Sequence, residues 1–190
     1  MTNYERFVKT INWELPDRLM TYDLVDHAEL LKRYGGDGDL IERNARMCNR
    51  IGLDATRYIH DPEHHWMGDK FLYHTDGRAT EILPIVVHEL GADGFNPIER
   101  NGCNDIFEIR RLYPRTLLFG NVCCENTLPY GTPEDVEQET LELIEKLGPQ
   151  GGILIGSSSE VHDLVPVENA LRLYETVHRY GNYPIHVSRD

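Results

Sequence analysis

From Phe71 onward the chain repeats one order of events: a short apolar run, a loop rich in polar groups, then a stretch with helical periodicity. The runs are Phe71-Leu72-Tyr73, Gly94-Phe95, Thr116-Leu117-Leu118-Phe119 and Ile153-Leu154-Ile155. Ile82, Ile85, Val86 and Leu90 share a helical face with Gly91 as the stop. A second helix carries Val136, Thr140, Ile144 and Leu147, with Thr132 as N-cap, Pro133 in its first turn and Gly148-Pro149 at its end. Ala170, Leu171, Tyr174 and Val177 line a third, which ends near Gly181. Strands that alternate with helices of this length predict βα units and a parallel sheet.

The N-terminal third reads more thinly. Thr2 with Glu5 predicts a capping box ahead of the apolar positions Phe7, Val8 and Ile11, and Pro16 closes that helix. Leu19-Met20-Thr21-Tyr22 reads as a brief strand, Leu40 to Ile51 as a helix stopped by Gly52, and Ala55 to Ile59 as a strand leading to Asp61-Pro62. The count is six candidate strands in one α/β domain.

Charge then narrows the functions. The chain has 190 residues and a formal charge of −13, with no block of Lys and Arg. Affinity for nucleic acid rests on cations that neutralise phosphates, so nucleic-acid binding is not expected. No apolar stretch reaches the roughly 20 residues of a membrane span, and the first residues lack the pattern of a signal peptide. The expectation is a cytoplasmic protein with no membrane partner. Cys48, Cys103, Cys123 and Cys124 have no regular spacing and are expected as reduced thiols.

In parallel α/β folds, ligands bind at the carboxyl ends of the strands. Those ends read Tyr22-Asp23, His60-Asp61, His74-Thr75-Asp76-Gly77, Asn96-Pro97-Ile98-Glu99, Gly120-Asn121-Val122-Cys123-Cys124 and Gly156-Ser157-Ser158-Ser159-Glu160. There is no Walker motif, G-x-G-x-x-G or G-x-S-x-G, so nucleotide cradles and serine-hydrolase elbows have no support. Structural roles compete with functional ones at these positions. His74 and Asp76 can be a hydrogen-bonded pair that holds a loop, and Asn96 and Asn121 can cap tight βα turns. The serine run can offer hydroxyls and N–H groups to an anion or serve as turn chemistry. His60, His64 and His65 read as surface histidines.

These strand ends resemble the uroporphyrinogen decarboxylase superfamily, which includes the corrinoid-dependent methyltransferases. The stretches that carry the resemblance are Tyr73 to Gly77, Gly91 to Glu99, Phe119 to Val122, Gly151 to Ser158, and Val165 to Asn169 through Tyr180 to Tyr183. Glu5-Arg6-Phe7 with Pro16-Asp17-Arg18 is similar to that superfamily's N-terminus. The resemblance implies a TIM-barrel-like assembly of (β/α) units. Such barrels rarely use fewer than about 200 residues, so six strands instead of eight imply an incomplete one. Residues 1–67 then supply the N-terminal units and 71–183 the C-terminal units, with the two central units missing near Trp66 to Lys70. Open edges of such a sheet favour association, and a homo-oligomer is expected.

The decarboxylase branch uses arginines after its first strand to hold a polycarboxylate porphyrinogen. Here Thr21 to Asp26 is acidic and has none, which disfavours that substrate; Asp61 is a conceivable stand-in for the decarboxylating aspartate, although its neighbours do not match. The methyltransferase branch binds zinc through a His-x-Cys pair after the fifth strand and a Cys after the eighth. This chain keeps His74, has Asp76 in place of the first Cys, and has Ser158 or Ser159 in the last loop. Zinc accepts carboxylate oxygen, so the resemblance implies a harder site of His74, Asp76 and Glu99, with Glu160 and Cys123 as further donors. The expected function is corrinoid-linked methyl transfer with a corrinoid protein as partner and a small molecule as substrate. His74 and Asp76 would be catalytic, and Tyr22, Asn96, Glu99, Asn121 and Ser158 would bind substrate. The alternatives are a non-catalytic barrel remnant that binds or oligomerises, and a true decarboxylase.

Overall fold

The computed structural model describes residues 1–56 and 70–186. Along the chain come α1 (Asn3–Ile11), β1 (Met20–Asp23), β2 (Val25–Asp26), α2 (Ala28–Tyr34), α3 (Leu40–Ile51), β3 (Ala55–Thr56), β4 (Leu72–Tyr73) and β5 (Gly94–Phe95). There follow α4 (Ile106–Leu112), β6 (Leu117–Val122), α5 (Thr127–Tyr130), α6 (Pro133–Leu147), β7 (Ile153–Ser157), β8 (Val161–His162) and α7 (Val167–Tyr180).

Six strands form one parallel sheet in the order β3-β1-β7-β6-β5-β4. The sheet curls as an incomplete TIM-barrel-like half-barrel. The short β2 and β8 pair in parallel just beyond it, tying the loops after β1 and β7 together.

Local chemistry explains most element boundaries. Thr2 Oγ1 accepts from the Glu5 N–H at 3.2 Å, while the Glu5 carboxylate accepts from the Thr2 N–H at 2.8 Å, so α1 opens on a reciprocal cap. Thr132 and Asp135 repeat that cap at α6, behind Pro133. Gly52 ends α3 at φ 83°, a left-handed position that suits glycine.

The alternation of side chains along the strands gives two cores. Leu118, Val122, Ile153 and Ile155 face α6 and α7 in the main core, with Val136, Ile144, Leu173 and Tyr174 opposite. Met20, Leu117, Phe119 and Leu154 point to the other face, the barrel interior, where Phe7, Ile11 and Trp13 cover them. The N-terminal helix thus covers part of the inner face of the sheet.

Several expectations need correction. The apolar face at 82–90 is not a regular helix: the chain turns at Ala79 and then takes one wide π turn over Ile85–Glu89. Leu83 and Val86 are buried, whereas Ile85 and Leu90 are exposed. An i→i+5 hydrogen bond from Leu90 N–H to Ile85 O widens the turn, so a 3.6-residue spacing no longer keeps Leu90 beneath Val86. The first strand lies one residue later than expected, at Met20–Asp23. β6 and β7 run on to Val122 and Ser157, taking Asn121 out of a loop and into a strand. Arg57 to Ile59, the histidines His60, His64 and His65, Asp61 and the junction from Trp66 to Asp69 lie outside the described residues.

Candidate functional site

Gathered at the carboxyl ends of β1, β5, β6 and β7 are two polar layers separated by strand parity. On the helix side, Asp23 is buried beneath α7. Its Oδ1 accepts from Leu24 N–H at 2.9 Å and from the Ser157 hydroxyl at 2.5 Å. Its Oδ2 accepts from Ser157 N–H at 2.8 Å and from the Tyr174 hydroxyl at 3.0 Å. Burial pushes the Asp23 carboxyl up to about 6, against four donors that pull it down. Burial, together with the nearby Asp23 charge, holds the Tyr174 hydroxyl well above its usual range.

The interior layer holds Tyr22, Asn96 and Asn121. Asn96 Nδ2 donates to the Tyr22 hydroxyl at 3.2 Å, and the Tyr22 ring meets Phe119 edge-on at 5.0 Å. Asn121 lies two residues beyond Phe119, on the same face, and its Oδ1 accepts from Ile98 N–H at 3.2 Å. Gly120 and Asn121 both have positive φ, 88° and 89°. A Cβ at Gly120 would sit 2.3 Å from Ser157 O, so this close approach of β6 to β7 requires glycine.

Between the layers, the loops after β5, β6 and β7 meet. The Ser158 hydroxyl donates to Glu99 Oε2 and accepts from Cys124 N–H at 3.0 Å. Cys124 Sγ lies 4.0 Å from the same carboxylate oxygen. Burial raises the Cys124 thiol, so this is a neutral sulfur rather than a thiolate. Glu99, Ser158 and Cys124 are all buried. An open groove of about 620 Å³ adjoins them, lined by Arg100, Tyr130, Asp135, Glu139 and Glu142 among others. Arg100 pairs there with Glu139 at 3.6 Å and Glu142 at 3.4 Å, which offset its charge.

Of the five expected substrate-binding residues, the structure pairs Tyr22 with Asn96 and Glu99 with Ser158, and sets Asn121 against the backbone of Ile98, next to Glu99. His74 and Asp76 also meet each other, at 3.4 Å between Nε2 and Oδ2, but on the exposed rim beside the edge strand β4. Glu99 does not join them. Among the described residues no three His, Cys, Asp or Glu side chains gather as metal donors. The residues described thus do not form the three-ligand set that a catalytic zinc uses. All four cysteines are free thiols, with Cys123 and Cys124 buried, Cys48 half-buried and Cys103 exposed.

Two contributors were hidden in the sequence. Tyr174 reads as an apolar-face residue of the last helix, and Cys124 as one of an irregular set. A tyrosine on a buried face needs a partner for its hydroxyl, and that is the signal that points to Asp23.

An incomplete parallel (β/α) barrel with polar side chains at the strand carboxyl ends is the class of protein that this geometry defines. A family model for uroporphyrinogen decarboxylase (URO-D) matches residues 44–180, and the chain belongs to that family. A search of the curated proteins returned no match. No helix among the described residues is long and apolar enough to cross a membrane.

Proposed function

We propose that this chain binds a small methylated compound at its strand carboxyl ends and exchanges the methyl group with a corrinoid carried by a partner protein. The observation that carries this reading is the composition of the converged site. Tyr22, Asn96, Asn121 and Ser158 are neutral, Glu99 is a buried carboxylate, and the charge of Arg100 is offset by Glu139 and Glu142. Such a site repels a polycarboxylate porphyrinogen and tolerates a neutral or cationic substrate.

The corrinoid would supply a metal centre that accepts or donates the methyl group. This chain's part is to orient the substrate through Tyr22 and Asn96. Glu99 stabilises positive charge on a methylated heteroatom in a site kept from water. In the direction that methylates a thiol from the methyl-corrinoid, His74, oriented by Asp76 on the rim, would take the proton that the thiol loses. The test follows loss of methylcobalamin absorbance in the presence of a thiol acceptor, alongside uroporphyrinogen as a competing substrate. Protein-dependent demethylation that slows about 100-fold in Glu99→Gln is the expected result. Consumption of porphyrinogen with release of carbon dioxide would overturn it.

A second reading, a non-catalytic module that closes its sheet by self-association, is favoured by the sheet edges. Among the described residues, the strands at the two ends of the sheet order are β3 and β4, and no pairing joins them. Folded protein that shows no methyl transfer but sediments as a stable homo-oligomer would put this reading first.

A further inference from the structure

Asn121 is nearly completely buried, yet one of its two polar atoms has no partner among the described residues. Its Oδ1 accepts from Ile98 N–H at 3.2 Å, while its Nδ2 finds no acceptor among them. The amide cannot be turned over to relieve this, because Nδ2 would then confront the Ile98 N–H, donor against donor. A buried donor left unmade costs about 1–3 kcal/mol. The backbone adds to that cost, since Asn121 holds φ 89° directly after Gly120 at φ 88°. Both are concentrated on one residue at the mouth of the barrel, on the face shared with Phe119 and Tyr22.

We infer that Asn121 Nδ2 is a specificity-determining donor for an oxygen acceptor on the bound small molecule, and that this oxygen is uncharged: a carbonyl, hydroxyl or ether oxygen. A carboxylate or phosphate would satisfy the donor too. It would, however, enter strand ends that already hold the buried carboxylates of Asp23 and Glu99, with Arg100 engaged elsewhere. The inference names a substrate class for the site of the proposed function and rests on that reading for the site's location. Discrimination would come from the donor being left unpaired whenever a compound lacks the oxygen, which is the strongest form of rejection available to a buried site.

The test uses three probes on ¹⁵N-labelled full-length protein: N-methylacetamide and methoxybenzene, which carry a neutral oxygen, and tetramethylammonium, which carries none. The Asn121 side-chain amide signal is identified by its loss in Asn121→Asp. It should shift with at least one oxygen-bearing probe and stay fixed with tetramethylammonium. Asn121→Asp keeps the acceptor for Ile98 N–H and tolerates the positive φ, but lacks the donor. It should bind the active probe roughly tenfold more weakly at pH 8. Binding should recover as the pH falls and the protonated carboxyl offers an O–H, a rescue that a purely structural residue would not show. Asn121→Gly, which also suits the backbone, gives the same loss without rescue and serves if the acidic variant fails to fold. An unmoved amide signal with both oxygen probes, or Asn121→Asp binding as tightly as wild type at pH 8, overturns the inference. Probe binding at Asn121 without methyl transfer would sink the methyltransferase reading alone. Methyl transfer at the wild-type rate by Asn121→Asp would sink this inference alone.

Discussion

Asp23 gives the sharpest quantitative prediction, because two large effects oppose each other on one carboxyl. Burial beneath α7 disfavours the charged form, and four donors favour it; burial wins, at about 6 against an ordinary 3.8. A pKa raised in the folded state adds stability that is fully present below about pH 4 and is lost as the pH rises through 6. The whole gap is worth about 3 kcal/mol, of which about 2 kcal/mol falls between pH 4.5 and 8. Asp23→Asn removes the titration and keeps the shape. Its amide can reorient the Ser157 and Tyr174 hydroxyls, but it leaves an NH₂ facing either Leu24 N–H or Ser157 N–H. That opposition costs about 1–3 kcal/mol at any pH. Urea unfolding followed by circular dichroism should therefore show the variant clearly weaker at pH 4.5 and within about 1 kcal/mol of wild type at pH 8. Comparing the two proteins at each pH cancels the other carboxylates. A wild-type advantage that is flat from pH 4.5 to 8, or that grows with pH, would show that the four donors outweigh burial and would refute the reasoning.

Three further perturbations follow from the same geometry. Gly120→Ala drives a Cβ to 2.3 Å from Ser157 O at a backbone φ of 88°, so it should cost at least about 2 kcal/mol; an unchanged melting temperature would contradict that. Arg18 grips the buried Asp54 carboxylate at 2.5 and 2.6 Å, and Arg18→Ala should cost about 3 kcal/mol near neutral pH in the same urea assay. Burial would raise Asp54, but Arg18 and the Thr21 N–H outweigh it and hold it below its usual range. This contribution is present above about pH 4 and fades as the pH falls through the depressed value, so a loss that persists undiminished in strong acid would be inconsistent with it. Protein purified in zinc-containing buffer should retain far less than one zinc per chain by elemental analysis, since His74 and Asp76 offer two exposed donors. One tightly held zinc that disappears in His74→Ala would restore the metal mechanism.

What the sequence made legible was whatever depends on near neighbours. The caps at Thr2 and Thr132, the stop at Gly52 and the apolar stripe of α6 are local patterns, and each lies where its residues place it. The segment at 82–90 failed because one wide turn is enough to rotate a stripe, and nothing in Ile82 to Leu90 announces an i→i+5 bond. The candidate residues of the site were legible as polar groups after strands. Their pairing was not, because Glu99 meets Ser158 from 59 positions away and Asp23 meets Tyr174 from 151. Asn121 shows the difference well. Read as a turn cap it is ordinary; found at the end of a strand, with one amide atom engaged and the other not, it becomes the residue most in need of a partner.

The order of the sheet explains how a shortened barrel keeps a site at all. In a full parallel barrel each strand bonds to the next around the ring, and the last bonds to the first. Here β7, the last strand of the sheet in sequence, pairs with β1, the first, over Met20↔Leu154 and Thr21↔Ile155. The closing contact of the ring is therefore intact, and among the described residues the unpaired side lies opposite, between β3 and β4. Two adjacent units could be absent from that side without separating any pair of retained neighbours. Parallel strands of this kind depend on cover on both faces. The helices still cover the outer face, and α1 with Trp13 covers part of the inner one. The seam between β1 and β7 is also where Asp23, Ser157 and Ser158 sit, with β6 and β5 alongside bringing Asn121, Asn96 and Glu99. The polar groups at β1, β7, β6 and β5 thus lie on the paired side of the sheet, whereas His74 and Asp76 follow β4 at its end. On the proposed reading, Glu99→Gln should weaken both substrate binding and turnover, whereas His74→Ala on the rim should lower turnover and leave substrate binding unchanged.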